Sequence, residues 1–138
     1  MNRKTKSARR LNIWIRSGAE RSKALREAMR RVARGDHTPQ EPELYFENVE
    51  ELRRILTEKR LELLLAISRH RSASVHELSG LVGRDYKNVS TDITLLERLG
   101  LVSLETRSGK GRAQNPTVPY DEIHVTIDLR QRHEAHAA

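Results

Sequence analysis

From Thr57 to Leu101 helix start and stop signals alternate so closely that little besides three short helices fits between them. Thr57 opens the first, EKRLELLLAISRH, whose Leu61, Leu63, Leu64, Leu65 and Ile67 go nearly all round, the pattern of a helix enclosed by neighbours. Ser74 and Glu77 stand at capping-box spacing ahead of the second, which turns Leu78, Leu81 and Val82 inward and stops at Gly83. Asp85 caps the third, Tyr86 to Leu99, and Gly100 followed by apolar Leu101 is a Schellman stop. An Asn48–Glu51 cap ahead of Val49, Leu52, Ile55 and Leu56 adds a shorter helix before these three.

Beyond Leu101 the period switches from helical to alternating. Val102 and Leu104 alternate with polar residues, and YDEIHVTIDL places Ile123, Val125 and Ile127 on one face. Between them RSGKGRAQNPTVP is rich in Gly, Pro and cations, so the two runs are expected to pair as a hairpin around a basic tip. At the other end of the chain, Leu11, Ile13 and Ile15 alternate with Asn12, Trp14 and Arg16 as a half-buried strand. Ala19 to Arg34 then read as a helix with Ala24, Leu25, Ala28, Met29 and Val32 on one face, ended by Gly35. A loop with two prolines leads to a short strand, Leu44 to Glu47.

The pattern implies an α+β chain: a winged helix-turn-helix over residues 48–129, with a three-helix core and a β-hairpin wing, preceded by a strand–helix–strand extension over 11–47. A basic tail, 1–10, is expected to be disordered unless it lies on a partner, and 130–138 reads as a flexible polar tail.

What the chain lacks narrows its chemistry. Without cysteine it has no disulfides, thiolate metal sites or thiol nucleophiles. No apolar run approaches the ~20 residues of a membrane span, and the basic start MNRKTKSARR has no apolar stretch behind it, so a soluble, cytoplasmic protein is expected. Six histidines are spread over loops, surfaces and the tail, where His133 and His136 make a poor metal pair. Gly109-Lys110-Gly111 lacks the first glycine and the strand-to-helix context of a phosphate loop. No catalytic residue, metal site or cofactor is therefore expected.

Charge points to a polyanion. Residues 1–34 hold 12 of the 26 Lys and Arg and only Glu20 and Glu27 among acids, a net +10, whereas the remaining 104 residues carry −3. Arg21, Lys23, Arg26, Arg30, Arg31 and Arg34 line a helix face that no core accepts. On the third helix of the core, Val89, Ile93, Leu96 and Leu99 cluster on one side. Lys87, Thr91, Thr94 and Arg98 lie opposite, flanked by Tyr86 and Ser90. Short hydroxyls and cations suit base edges and phosphates in a major groove. Arg107, Lys110 and Arg112 at the tip suit phosphate contact from a wing. Asp92, at the edge of the apolar side, is expected to anchor the helix on a neighbour such as Arg60 or Arg84 rather than to meet DNA.

The runs ILTEKRLELLLAI, SVHELSGLVGRDYKNVSTDITLLERLGLV and VPYDEIHVTIDL resemble a family of MarR-like winged-helix proteins, predicted transcriptional regulators of bacteria and archaea. The resemblance covers roughly residues 44–129, with Gly83 to Asp92 and Pro119 to Asp121 its most distinctive parts, and extends weakly to the strand and helix at 11–34. The tip is longer than the short wing of such proteins, and the basic N-terminal tail falls outside the match. The resemblance implies a sequence-specific regulator of double-stranded DNA, a repressor acting as a homodimer. Dimerisation is expected through 11–47, whose apolar faces have little else to cover them. Some relatives are called antitoxins, which implies a toxin partner docked on the N-terminal segment with DNA binding as autoregulation. A non-specific nucleic-acid-binding protein that uses the +10 N-terminus is the third reading left open.

Overall fold

The computed structural model describes residues 8–16, 18–36, 41–106 and 114–129. In chain order the elements are β1 (Arg10–Ile15), α1 (Gly18–Ala33), β2 (Glu43–Phe46), α2 (Val49–Ile55), α3 (Glu58–Arg69), α4 (Val75–Val82), α5 (Tyr86–Arg98), β3 (Ser103–Thr106), β4 (Gln114–Thr117) and β5 (Glu122–Ile127). They form two compact units, Met1–Ile55 with Glu122–Ala138, and Leu56–Asp121. The architecture is α+β.

The first unit is built on a three-stranded, all-parallel sheet in the order β2-β1-β5. Because side chains alternate across a strand, the register Ile13↔Leu44 and Ile13↔Val125 collects the apolar residues of all three strands on one face. Leu11, Ile13 and Phe46 are buried there. The other face is polar and aromatic. Trp14 Nε1 donates to Glu43 at 3.2 Å, the Tyr45 hydroxyl donates to the same carboxylate at 2.6 Å, and the Arg16 guanidinium lies 4.2 Å from the Trp14 ring centre. Partial burial, and then the Glu43 carboxylate, push the Tyr45 hydroxyl pKa up to about 12.

Helix α1 starts where its N-terminal amide, that of Gly18, donates to Glu47 and Arg21 pairs with the same carboxylate at 2.8 Å. It ends at Gly35, whose φ of 89° lets Asp36 donate back to the Arg31 carbonyl. The apolar face expected on this helix is not covered. Leu25, Met29 and Val32 are 61%, 61% and 58% exposed, and no residue of α1 is buried. Sequence periodicity identifies a face but not whether anything packs on it.

In the second unit the caps fall where their spacing places them. Thr57 accepts from the Arg60 amide, Ser74 and Glu77 form a complete capping box, and Asp85 accepts from the Lys87 amide. Gly83 takes φ 69° between α4 and α5. Leu101 donates to the Leu96 carbonyl as the Schellman stop requires, and is itself fully buried. Ser74→Ala removes one arm of the box, and is expected to cost about 1 kcal/mol in a urea titration. A loss below a few tenths would show that the box adds little.

Two expectations about this unit need correcting. Leu61, Leu65 and Leu81 are exposed rather than enclosed. Helix α3 packs on α4 and β4, so Leu63, Leu64 and Ile67 are its inward face and the rest of its apolar circumference is left outside. The hairpin is also built differently. β3 pairs antiparallel with Gln114–Thr117, in a register that opposes Leu104 and Pro116, while Glu122–Ile127 joins β1 in the other unit. QNPT reads as loop because Asn and Pro disfavour strands. Pro116 is nevertheless fully buried and Asn115 Nδ2 donates to the Ser72 carbonyl at 3.3 Å, so tertiary contacts hold the segment extended. As a result α2 and β5, expected inside a 48–129 domain, belong to the sheet unit.

Candidate nucleic-acid interface

Helix α5 is held on one side and open on the other. Val89, Ile93 and Leu96 are buried, and Asp92, 8% exposed, adds a polar anchor beside them. Arg60 Nε donates to Asp92 Oδ1 at 3.0 Å and Arg84 Nη2 to Oδ2 at 2.7 Å. The pairing expected for Asp92 with Arg60 or Arg84 is found with both. Burial by itself would raise this carboxyl's pKa, but hydrogen bonds from Arg84 and Arg60 outweigh it and hold the group below the usual carboxylate value. One anion therefore ties α5 to α3 and to the turn that precedes α5.

With that side fixed, Lys87, Thr91, Thr94 and Arg98 all fall on exposed positions of the opposite face. The Thr91 hydroxyl donates to the Lys87 carbonyl at 2.9 Å and Thr94 to the Ser90 carbonyl at 3.0 Å. Their protons being used within the helix, the two oxygens offer lone pairs outward beside their methyl groups. That combination suits the amino groups of adenine or cytosine and the methyl of thymine. The exposed Lys87 ammonium, in the N-terminal half of the helix, can donate to an acceptor such as a guanine edge or a phosphate. The exposed stripe itself contains no acid. Asp85 is engaged as the cap, and Glu97 stands on the Ser90 flank toward the C-terminal end.

The structure does not bring every expected site residue together. Ser90 is only half-exposed, and Tyr86 leans against His76 of α4 with ring centres 5.8 Å apart. Arg107, Lys110 and Arg112 lie outside the described residues. Sequence reasoning gave no role to His76, whose ring meets that of Tyr86 at the N-terminal end of α5. It also assigned no role to Tyr120. That hydroxyl donates to the Gly100 carbonyl at 2.9 Å, tying the chain after β4 to the end of α5. Among the described residues no cluster of three His, Asp or Glu side chains is arranged to hold a metal ion. No helix among them is long and apolar enough to cross a membrane.

Residues 55–125 match the HVO_A0114 family. The chain belongs to that family. The matched stretch runs from the end of α2 into β5, so the open face of α5, the Asp92 anchor and the Tyr120 tie all lie within it. β1, α1 and β2 lie outside it. No curated protein matches the chain.

Proposed function

We propose that this HVO_A0114 protein is a sequence-specific regulator of transcription that binds double-stranded DNA as a homodimer through a MarR-like winged helix-turn-helix. In this reading α4 and α5 are the two helices of the motif, with α5 in the major groove and the β3–β4 ladder as the base of the wing. The observation that carries it is the acid-free stripe of Lys87, Thr91, Thr94 and Arg98 on a helix whose opposite side is locked by Asp92. A merely solvated helix has no need of so rigid a seat, whereas base readout depends on one.

Selection from a pool of random duplexes, followed by titration at several salt concentrations, tests the reading. A preferred sequence is expected, bound far more tightly than its scrambled form. Lys87→Ala, Thr91→Ala and Thr94→Ala should each relax preference at one or two base pairs, with about 1–3 kcal/mol of discrimination lost per good contact. Equal affinity for selected and scrambled duplexes would overturn sequence-specific binding. Unchanged discrimination in a folded triple variant would remove α5 as the reading helix.

A further inference from the structure

The sheet of the first unit has two edges, and they are not equivalent. β2 presents a short one. Phe46 accepts from Arg16 and Pro42 from Asn12, so by alternation only Glu43 and Tyr45 turn their backbone groups outward along the strand. Beyond them the Glu47 amide is already taken by the Glu51 carboxylate at 2.7 Å. β5 is longer and contains no proline. Its Glu122 amide donates to the Arg9 carbonyl, so the amides and carbonyls of Ile123, Val125 and Ile127 point away from β1. Val125, Ile127 and Leu129 are 46%, 47% and 75% exposed along the same stretch. An apolar edge of this kind is a template for another strand.

We propose that this edge pairs with the β5 edge of a second copy, antiparallel, about a two-fold axis at Thr126, to give one continuous six-stranded sheet. The inference rests on the homodimer part of the functional reading and is independent of DNA binding. Every register centred on a residue keeps the apolar faces together, and side-chain chemistry separates the three centred on His124, Val125 and Thr126. Centring on His124 opposes two histidines and sets Asp121 against Ile127. Centring on Val125 sets Glu122 against Asp128, two like charges. Centring on Thr126 opposes Val125 to Ile127 and Thr126 to itself within β5, and brings Ile123 and His124 opposite Leu129 and Asp128 just beyond its end. Every such pair is then apolar, hydroxyl–hydroxyl or an imidazole facing a carboxylate, and no two like charges oppose each other. The outward amides of Val125 and Ile127 form the hydrogen-bonded pairs, leaving Thr126 at a close, non-hydrogen-bonded pair. The exposed Leu25, Met29 and Val32 of α1 offer an apolar stripe but no such self-matching.

The absence of cysteine makes the test clean. Full-length protein carrying Thr126→Cys should oxidise to a covalent dimer, whereas His124→Cys and Val125→Cys, which centre the other two registers, should not. Sedimentation should find the unmodified chain dimeric, and Val125→Lys with Ile127→Lys should raise the dimer Kd by roughly 100-fold through like charges across the axis. Unchanged circular dichroism would show that this double variant still folds. A monomeric unmodified chain would overturn both the homodimer and this interface. A dimer that resists the double lysine change and leaves Thr126→Cys uncrosslinked would overturn the β5 pairing alone. Operator selectivity, read with the α5 variants, is unaffected by either result.

Discussion

Asp92→Ala should lower the free energy of unfolding by about 3 kcal/mol or more. The carboxylate is nearly buried and is shared by Arg60 and Arg84, whose side chains are themselves only 21% and 18% exposed. Arg84 Nη1 is already buried without an acceptor, so removing Asp92 leaves that guanidinium without its counter-ion. Breaking a buried pair by deleting one partner costs more than the pair ever contributed, because the remaining charge stays desolvated. Asp92→Asn keeps the shape and part of the hydrogen bonding, and should cost less. The sign of the pH dependence follows from the depressed carboxyl pKa. The stabilisation is fully present above the unfolded-state value of about 4 and is lost as pH falls through the lower folded-state value. Urea titrations should therefore show the gap between wild type and Asp92→Ala narrowing in strong acid. A gap below about 1 kcal/mol at neutral pH would mean that the two arginines are solvated rather than clamped.

Ile13→Ala is expected to remove about 3 kcal/mol, with the loss concentrated in the sheet. Ile13 is 0% exposed, sits in the central strand, and is flanked by Leu44 on one side and Val125 on the other. Truncating it opens a cavity where both neighbouring strands meet, and neither edge strand can close over it without leaving its register. Hydrogen exchange at β1 and β5 should accelerate together, since the two share one ladder. Slow exchange persisting in the variant at Glu122, His124 and Thr126, whose amides face β1, would contradict the parallel pairing of β5 with β1.

Much of the candidate site is legible in the amino-acid sequence. Asp92 reads as an anchor because an acid at the edge of an apolar stripe, eight residues from Arg84 and 32 from Arg60, has partners of the right charge. The stripe Lys87, Thr91, Thr94 and Arg98 follows from helical geometry alone. The pattern does not contain how each hydroxyl spends its proton, or that His76 meets Tyr86. Those depend on distances between elements and on rotamers, which no spacing encodes.

Local rules carried the helices. Caps at Thr57, Ser74 and Asp85 and stops at Gly35, Gly83 and Gly100 depend on backbone groups within a few residues, so the sequence by itself determined where α3, α4 and α5 begin and where α1, α4 and α5 end. Alternation likewise marked β1 and β5 as strands with one apolar face. It did not name their partner. YDEIHVTIDL has the same period whether it closes a hairpin with Ser103–Thr106 or lies parallel to β1 from the far end of the chain. Only the tertiary structure decided for the latter, because Leu11, Ile13 and Ile15 find matching apolar residues at Ile123, Val125 and Ile127. It also decided that Gln114–Thr117 is a strand, where burial of Pro116 outweighs poor local propensity. Hydrogen bonds within a turn are set by neighbours in the sequence; the pairing of strands more than 100 residues apart is set by which surfaces the folded chain can bury together.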